Sequence, residues 1–86
     1  MESLDNMLNI GKEMKRKLFS IGVRSSEDLI RLGSKDVFSQ LKEQYPNVCL
    51  VHLYALQGAI DNVDYDKLPD EVKRDLKQFH DRIKDK

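Results

Sequence analysis

Cysteine and histidine are the residues of this chain that could bind a metal ion or form a nucleophile–base pair. Cys49 and His52 are three residues apart, a spacing that brings two side chains to one face of a helix. Cys49 is the only cysteine and His80 the only other histidine, too few for the four ligands of a structural zinc. We therefore predict no metal site and no Cys–His catalysis, and expect Cys49 to be buried among its apolar neighbours.

The acidic residues give no sign of an active site either. Fifteen Asp and Glu residues balance fifteen Lys and Arg residues, and the two kinds alternate along the chain rather than gathering at one point. Carboxylates beside cations on helix surfaces keep ordinary acidities, whereas catalytic carboxylates need a cleft that perturbs them. We predict a protein that is not an enzyme, with no cofactor and no small-molecule substrate.

Composition also bears on where the protein works. A single cysteine cannot form an intramolecular disulfide, which is typical of a reducing compartment. No apolar run approaches the roughly 20 residues of a membrane span, and the first residues lack the pattern of a signal peptide. We expect a cytoplasmic protein without a membrane partner. The net charge of zero means that any nucleic-acid contact must come from a local patch.

Apolar residues recur at helical rather than alternating spacing along almost the whole chain. The predicted helices cover Ser3 to Leu8, Lys12 to Ser20, Ser25 to Gly33, Ser34 to Pro46, Val48 to Asn62, and Pro69 onward. The predicted fold is all-α: a compact bundle of five or six short helices with a helix-hairpin-helix-like N-terminal half, forming one domain over residues 1–86.

Several residues have the properties of helix ends. Gly22 stands where a C-terminal cap with positive φ belongs, and Ser25 followed by Asp28 is a variant of the capping box. Ser34 is a candidate N-cap for the next helix. The apolar residues of the third segment, Ile30 included, are expected to face the core.

The segment Val48 to Asn62 is the most hydrophobic and is predicted to be the central buried helix. Its small residues Ala55, Gly58 and Ala59 predict a side where another helix approaches closely. If part of the apolar surface stayed exposed through Val51, Tyr54 or Tyr45, it would instead indicate a protein interface.

The turn from Leu8 to Lys12 could bind phosphate. An apolar residue followed by glycine before a helix exposes backbone amides, which favour an anion together with the helix dipole. The candidate nucleic-acid-binding residues are Asn9, Ile10, Gly11, Lys12, Lys15 and Arg16. The alternative is a structural corner in which Asn9 and Gly11 serve backbone geometry alone. Glu13 would repel a phosphate at the same amides.

This turn, followed by Gly22-Val23, Ser25 and the 26–29 segment, resembles the helix-hairpin-helix module. It is also similar to the hairpin in the C-terminal domain of the bacterial RNA polymerase alpha subunit. The residues from Leu53 to Ala59, then Leu68-Pro69 and a helix with Lys73 and Leu76, resemble the C-terminal domain of the TfoX/Sxy competence-regulator family. The resemblance covers nearly the whole chain.

The resemblance implies an all-helical fold, here as a stand-alone domain, and an association with the regulation of DNA uptake. We therefore expect a small non-enzymatic regulatory domain that binds duplex DNA weakly and without sequence preference through the hairpin. The alternative is a protein-interaction module, in the simplest case a homodimer, without affinity for nucleic acid. A contiguous positive surface at the hairpin would favour DNA, and an exposed apolar patch elsewhere would favour a protein partner.

Overall fold

The predicted all-α architecture is confirmed by a computed structural model, which describes Leu4 and residues 7–84. The helices of this part of the chain are α1 (Lys12–Ser20), α2 (Ser26–Leu32), α3 (Ser34–Gln44), α4 (Leu50–Asp61) and α5 (Asp70–Lys84), with a short 3₁₀ helix at Tyr65–Lys67 between the last two. The overall dimensions are 34 × 28 × 20 Å.

Half of the helix predicted for Ser3 to Leu8 lies outside the described residues. Its described end, Met7 and Leu8, forms a bend and a turn rather than a helix. The N–H of Met7 donates to the carbonyl oxygen of Leu4 at 3.1 Å, and the Leu4 side chain is fully buried. The chain before α1 is therefore attached to the core by an apolar side chain.

Helix α4 is the central helix, as predicted, and α2, α3, α5 and the 3₁₀ helix all contact it. Apolar side chains occupy most of its circumference, which is typical of a helix surrounded by other elements. The fully buried large side chains around it come from every helix; they include Leu18, Leu29, Phe38, Leu41, Leu53, Leu56 and Leu76.

The connection between α1 and α2 has the predicted caps. Gly22 has φ +89°, and the N–H groups of Gly22 and Val23 donate to the carbonyl oxygens of Phe19 and Leu18 at 3.1 and 2.9 Å, the two bonds of a Schellman motif. The hydroxyl of Ser25 then accepts from the N–H of Asp28 at 3.2 Å and caps α2.

Two predictions about α2 and α3 are wrong. Ile30 does not face the core, because 54% of its surface is exposed; the short α2 presents only a narrow stripe centred on Leu29. Ser34 is not an N-cap. Gly33 holds that position, and Ser34 begins α3 as a buried residue whose hydroxyl donates to Oε1 of Gln57 on α4 at 2.6 Å.

At Gly58, on the predicted small-residue side of α4, the close approach is made by the loop after α4 and the start of the 3₁₀ helix rather than by another α-helix. Asn62 has φ 60° and ends α4, and the N–H of Val63 bonds back to the carbonyl oxygen of Gly58 at 2.9 Å. The chain therefore folds back over Gly58, and the backbone at Val63 and Tyr65 together with the side chain of Asn9 lies against this glycine.

Helix α5 is amphipathic and closes the bundle. Leu76 is buried, and Val72, Phe79 and Ile83 pack against the core as predicted. The ion pair between Lys35 and Asp75, at 2.8 Å, joins α3 to α5. Within the described residues, each helix is too short or too polar to cross a membrane.

Candidate functional site

The turn that precedes α1 is built around Asn9. Its φ of 70° is in the left-handed region that asparagine tolerates better than most residues. Its side-chain nitrogen donates to the carbonyl oxygens of Val63 at 2.9 Å and Ala55 at 3.4 Å, and its side-chain oxygen accepts from the N–H of Tyr65 at 3.2 Å. The amide group of Asn9 is therefore fully engaged inside the protein.

Ile10 also faces inward, since its half-buried side chain packs against the core. Gly11 is the N-cap of α1, with an extended backbone at φ −92°. Glycine has no side chain to cap the helix, so the first-turn amides of Lys12 and Glu13 have no side-chain acceptor at Gly11. The left-handed conformation of the turn therefore belongs to Asn9 and not to Gly11.

The basic candidates lie on the outer side of α1. Lys12 and Arg16 are exposed and one helical turn apart, and Lys15 is half-buried beside them, with its ammonium 5.7 Å from the centre of the Phe19 ring. We call Gly11, Lys12, Lys15 and Arg16 the hairpin face. Of the six predicted nucleic-acid-binding residues, the structure brings these four to one exposed surface and turns the side chains of Asn9 and Ile10 inward.

Glu13 changes the electrostatics of this face. Its carboxylate accepts from the guanidinium of Arg16 at 2.6 Å, and both side chains are about three-quarters exposed. Such exposed pairs contribute little to stability. The pair does, however, offset the charge of one of the three cations on the hairpin face.

Cys49 is exposed, so the prediction that it is buried is wrong. Helix α4 begins at Leu50 rather than at Val48, which leaves Cys49 as its N-cap and gives the buried position to Val48. The ammonium of Lys42 holds the preceding loop by donating to the carbonyl oxygens of Pro46 and Val48 at 2.8 and 2.9 Å.

The predicted proximity of Cys49 and His52 is real. Nδ1 of His52 accepts from the N–H of Cys49 at 2.9 Å and lies 3.4 Å from its Sγ. Burial and then the nearby Lys17 ammonium lower the pKa of His52 from its usual value. His80 instead packs against the ring of Phe38, with the ring centroids 5.8 Å apart. In the described part of the chain, no three His, Cys, Asp or Glu residues gather as metal ligands would.

A groove of about 580 Å³ lies between α1 and the first turns of α4. It was not predicted as a site. The residues that line this α1–α4 groove are Asn9, Gly11, Lys12, Glu13, Met14, Lys17, Val51, His52, Ala55 and Tyr65. Val51 and Tyr65 keep 50% and 43% of their surfaces exposed. The signal in the sequence was the large number of apolar residues on α4. Not all of them are buried in the core, and Val51 is left beside the groove.

Two solved structures are similar to this chain over most of its length. Both are of proteins from Listeria monocytogenes described as uncharacterised or of unknown function. The first, a triclinic form, is 33% identical with a TM-score of 0.93 and covers 95% of this chain and 93% of its own. The second, a tetragonal form, is 35% identical with a TM-score of 0.85 and covers 87% and 92%.

No curated protein matches the chain at a significant level. The family model described as the TfoX C-terminal domain matches residues 1–80. The match includes the hairpin, the α1–α4 groove and most of α5.

Proposed function

Because the chain belongs to the TfoX C-terminal domain family, we propose that it is a non-catalytic regulatory domain that binds the backbone of duplex DNA weakly, without sequence preference, through the hairpin face. The observation that carries this proposal is the position of Lys12, Lys15 and Arg16 beside the first-turn amides of α1. Amides at a helix N-terminus and neighbouring cations are the groups that phosphate oxygens accept from in DNA complexes.

The composition of the hairpin face favours phosphate over bases. Lys12 and Lys15 are point charges suited to phosphate. The guanidinium of Arg16, the side chain of this face best suited to bidentate readout of a base, already donates to Glu13. The side-chain amide of Asn9, the other group that could read a base, is bonded to Val63 and Tyr65. Binding without sequence preference follows from this arrangement.

Few phosphate contacts and a net charge of zero imply low affinity. We expect a dissociation constant on the order of 10⁻⁴–10⁻⁶ M at physiological salt. The test is a titration of fluorescently labelled duplex at low and moderate salt, followed by anisotropy, with the parent, Lys12→Glu and Glu13→Lys proteins. Ile30→Glu is the matched control, because Ile30 is exposed on α2 and outside the hairpin face.

The expected order of affinity is Glu13→Lys, then the parent and the control together, then Lys12→Glu. A parent protein that shows no salt-dependent binding at low ionic strength, together with a Glu13→Lys protein that shows none, would refute the DNA proposal.

A protein-interaction module is the second candidate function. The observation that favours it is the exposure of Val51, half of whose surface remains in solvent beside the α1–α4 groove. Apolar surface concentrated at a groove is typical of a docking site for another protein. This candidate does not require the hairpin face to bind DNA.

A further inference from the structure

We propose that the α1–α4 groove binds an acidic segment of a partner protein that carries an aliphatic or aromatic anchor side chain. This inference rests on the second candidate function and deepens it. The groove shares Gly11 and Lys12 with the hairpin face, but its apolar anchor site, formed by Met14, Val51, Ala55 and Tyr65, is not part of the DNA proposal.

The floor of the groove is apolar. Met14 and Ala55 are buried at its base, and Val51 and Tyr65 form its exposed walls. Covering such surface is favourable by about 25 cal/mol per Å² of apolar area removed from water. A phosphate backbone gains nothing from it. An occupant must therefore present an apolar side chain.

The exposure of the walls distinguishes a peptide from a small molecule. A ligand confined to the groove would leave the outer sides of Val51 and Tyr65 in water. A polypeptide segment extends past the groove and can cover both. An amphipathic helix laid into a groove anchors in this way, through side chains at the i, i+3, i+4 and i+7 positions.

Charge at the rim indicates an acidic segment. Lys12 and Lys17 border the groove, and neither takes part in the ion pairs formed among the described residues. The ammonium of Lys17 lies 5.4 Å from the centre of the Tyr45 ring, which holds it in place without offsetting its charge.

Among the other ionisable groups that line the groove, Glu13 offsets part of this charge and His52 does not add to it near pH 7. The carboxylate of Glu13 is bonded to Arg16 on the outer side of α1. Burial and Lys17 lower the pKa of His52, so its ring is neutral near pH 7. The groove therefore presents two cations around an apolar floor, the complement of an apolar anchor flanked by carboxylates.

The test uses two labelled synthetic helical peptides with the same leucine anchors at i, i+4 and i+7 and either glutamate or lysine at the other positions. Anisotropy titrations measure each peptide against the parent, Val51→Glu, Lys17→Glu and Ile30→Glu proteins. Val51 is in the first turn of α4, where a glutamate suits the helix dipole, so this variant should fold. Ile30→Glu introduces the same residue at a similarly exposed position outside the groove.

We expect the parent to bind the acidic peptide and to prefer it over the basic one. Val51→Glu should weaken acidic-peptide binding roughly tenfold or more, because it removes apolar contact and adds a negative charge that repels the peptide. Ile30→Glu should change it less than about twofold. Lys17→Glu should abolish the preference between the two peptides.

A second measurement locates the bound peptide. Cys49 is the only thiol, is exposed, and lies beside His52 of the groove. Saturation with the acidic peptide should slow alkylation of Cys49 by iodoacetamide, and it should not do so in Val51→Glu.

Five outcomes would overturn the proposal. If neither peptide binds, or the basic peptide binds more tightly, the proposed partner chemistry is wrong. If Val51→Glu and Ile30→Glu behave alike, the peptide binds elsewhere, although the protein-interaction function would stand. If sedimentation shows a parent dimer that Val51→Glu dissociates, the occupant is a second copy of this chain. If labelled duplex competes with the peptide at the groove, and Val51→Glu weakens the binding of both, the groove is part of the DNA-binding surface rather than a peptide site.

Discussion

The side chain of Asn9 occupies the space that a side chain at Gly58 would need. A Cβ atom at position 58 would lie 2.5 Å from the side-chain nitrogen Nδ2 of Asn9 and 2.6 Å from the backbone carbonyl oxygen of Val63. The turn before α1 and the loop after α4 therefore meet over a glycine in the last turn of α4.

Gly58→Ala should destabilise the protein, although alanine normally stabilises a helix interior by about 0.5–1 kcal/mol relative to glycine. The carbonyl oxygen of Val63 belongs to the backbone and cannot turn away, so the loop must shift. We expect a net loss of about 1–3 kcal/mol in the free energy of unfolding, measured by urea denaturation. Gln78→Ala, at an exposed position of α5, is the control. A Gly58→Ala protein as stable as the parent would contradict the close approach.

Replacing Asn9 separates its side chain from its backbone conformation. Asn9→Gly keeps access to positive φ and loses the bonds to Val63, Ala55 and Tyr65, at a cost of about 1–3 kcal/mol for the groups left unpaired. Asn9→Ala should cost about 1–2 kcal/mol more, because alanine must also enter the left-handed region. Chemical denaturation of both variants measures the difference, and equal stabilities would show that the backbone conformation at residue 9 is not the strained one.

Gly22→Ala tests the cap between α1 and α2. No atom lies within 4 Å of an added Cβ at Gly22, so the cost comes from its φ of +89° alone. We expect a loss of about 1–2 kcal/mol. This cost should be the same in the parent and in the Asn9→Gly background. The cost of Gly58→Ala should instead be smaller in the Asn9→Gly background, because the side chain that crowds position 58 is absent there. Thermal and urea unfolding of the three single variants and the two double variants would reveal any coupling.

His52 should make stability depend on pH. In the unfolded chain it binds a proton near its usual pKa of 6.5, and in the folded protein it does so only at lower pH, because burial and Lys17 lower its pKa. The unfolded state thus binds more protons as the pH falls below about 7, and the free energy of unfolding decreases until the folded pKa is passed. Above about pH 7.5 the effect is absent.

His52→Gln removes this titration while keeping an acceptor for the N–H of Cys49, since glutamine at the third helical position is a capping-box residue. The parent should therefore lose stability relative to His52→Gln between pH 7.5 and 5. Urea denaturation at three pH values measures it. A constant difference across the range would contradict the lowered pKa.

The salt dependence of DNA binding should report on the pair between Glu13 and Arg16. Each phosphate contact contributes about 0.9 to the slope of log affinity against log salt. Lys12→Glu should remove roughly one unit of slope. Glu13→Gln adds no cation, but it frees the guanidinium of Arg16 to contact a phosphate. The slope should therefore become steeper by up to about 0.9, the value for one additional phosphate contact. If Glu13→Gln leaves the slope unchanged, Arg16 does not contact phosphate.

The elements that the sequence predicts well are those with local causes. Ser25 and Asp28 cap α2, and Gly22 ends α1, because these choices depend on backbone geometry within a few residues. The position of Cys49 depends instead on where α4 begins. A shift of two residues from Val48 to Leu50 moves the thiol from an expected core position to the surface.

The candidate site was predictable in its charges and not in its shape. Lys12, Lys15 and Arg16 share the outer side of α1 because helical spacing requires it. The inward orientation of the Asn9 amide depends on Val63 and Tyr65, more than fifty residues away. The α1–α4 groove likewise depends on how closely two distant helices pack, which a periodicity within one segment does not specify.

The bonds of Asn9 also determine when the hairpin can form. They connect positions separated by 46, 54 and 56 residues, so the turn before α1 gains them only after α4 and the loop beyond it have folded. The first third of the chain, expressed as a fragment, would lack these partners and would not hold the hairpin face in place. In the intact protein the N–H of Tyr65 is covered by Asn9, and hydrogen exchange at that single amide therefore reports opening of a hairpin at the other end of the sequence.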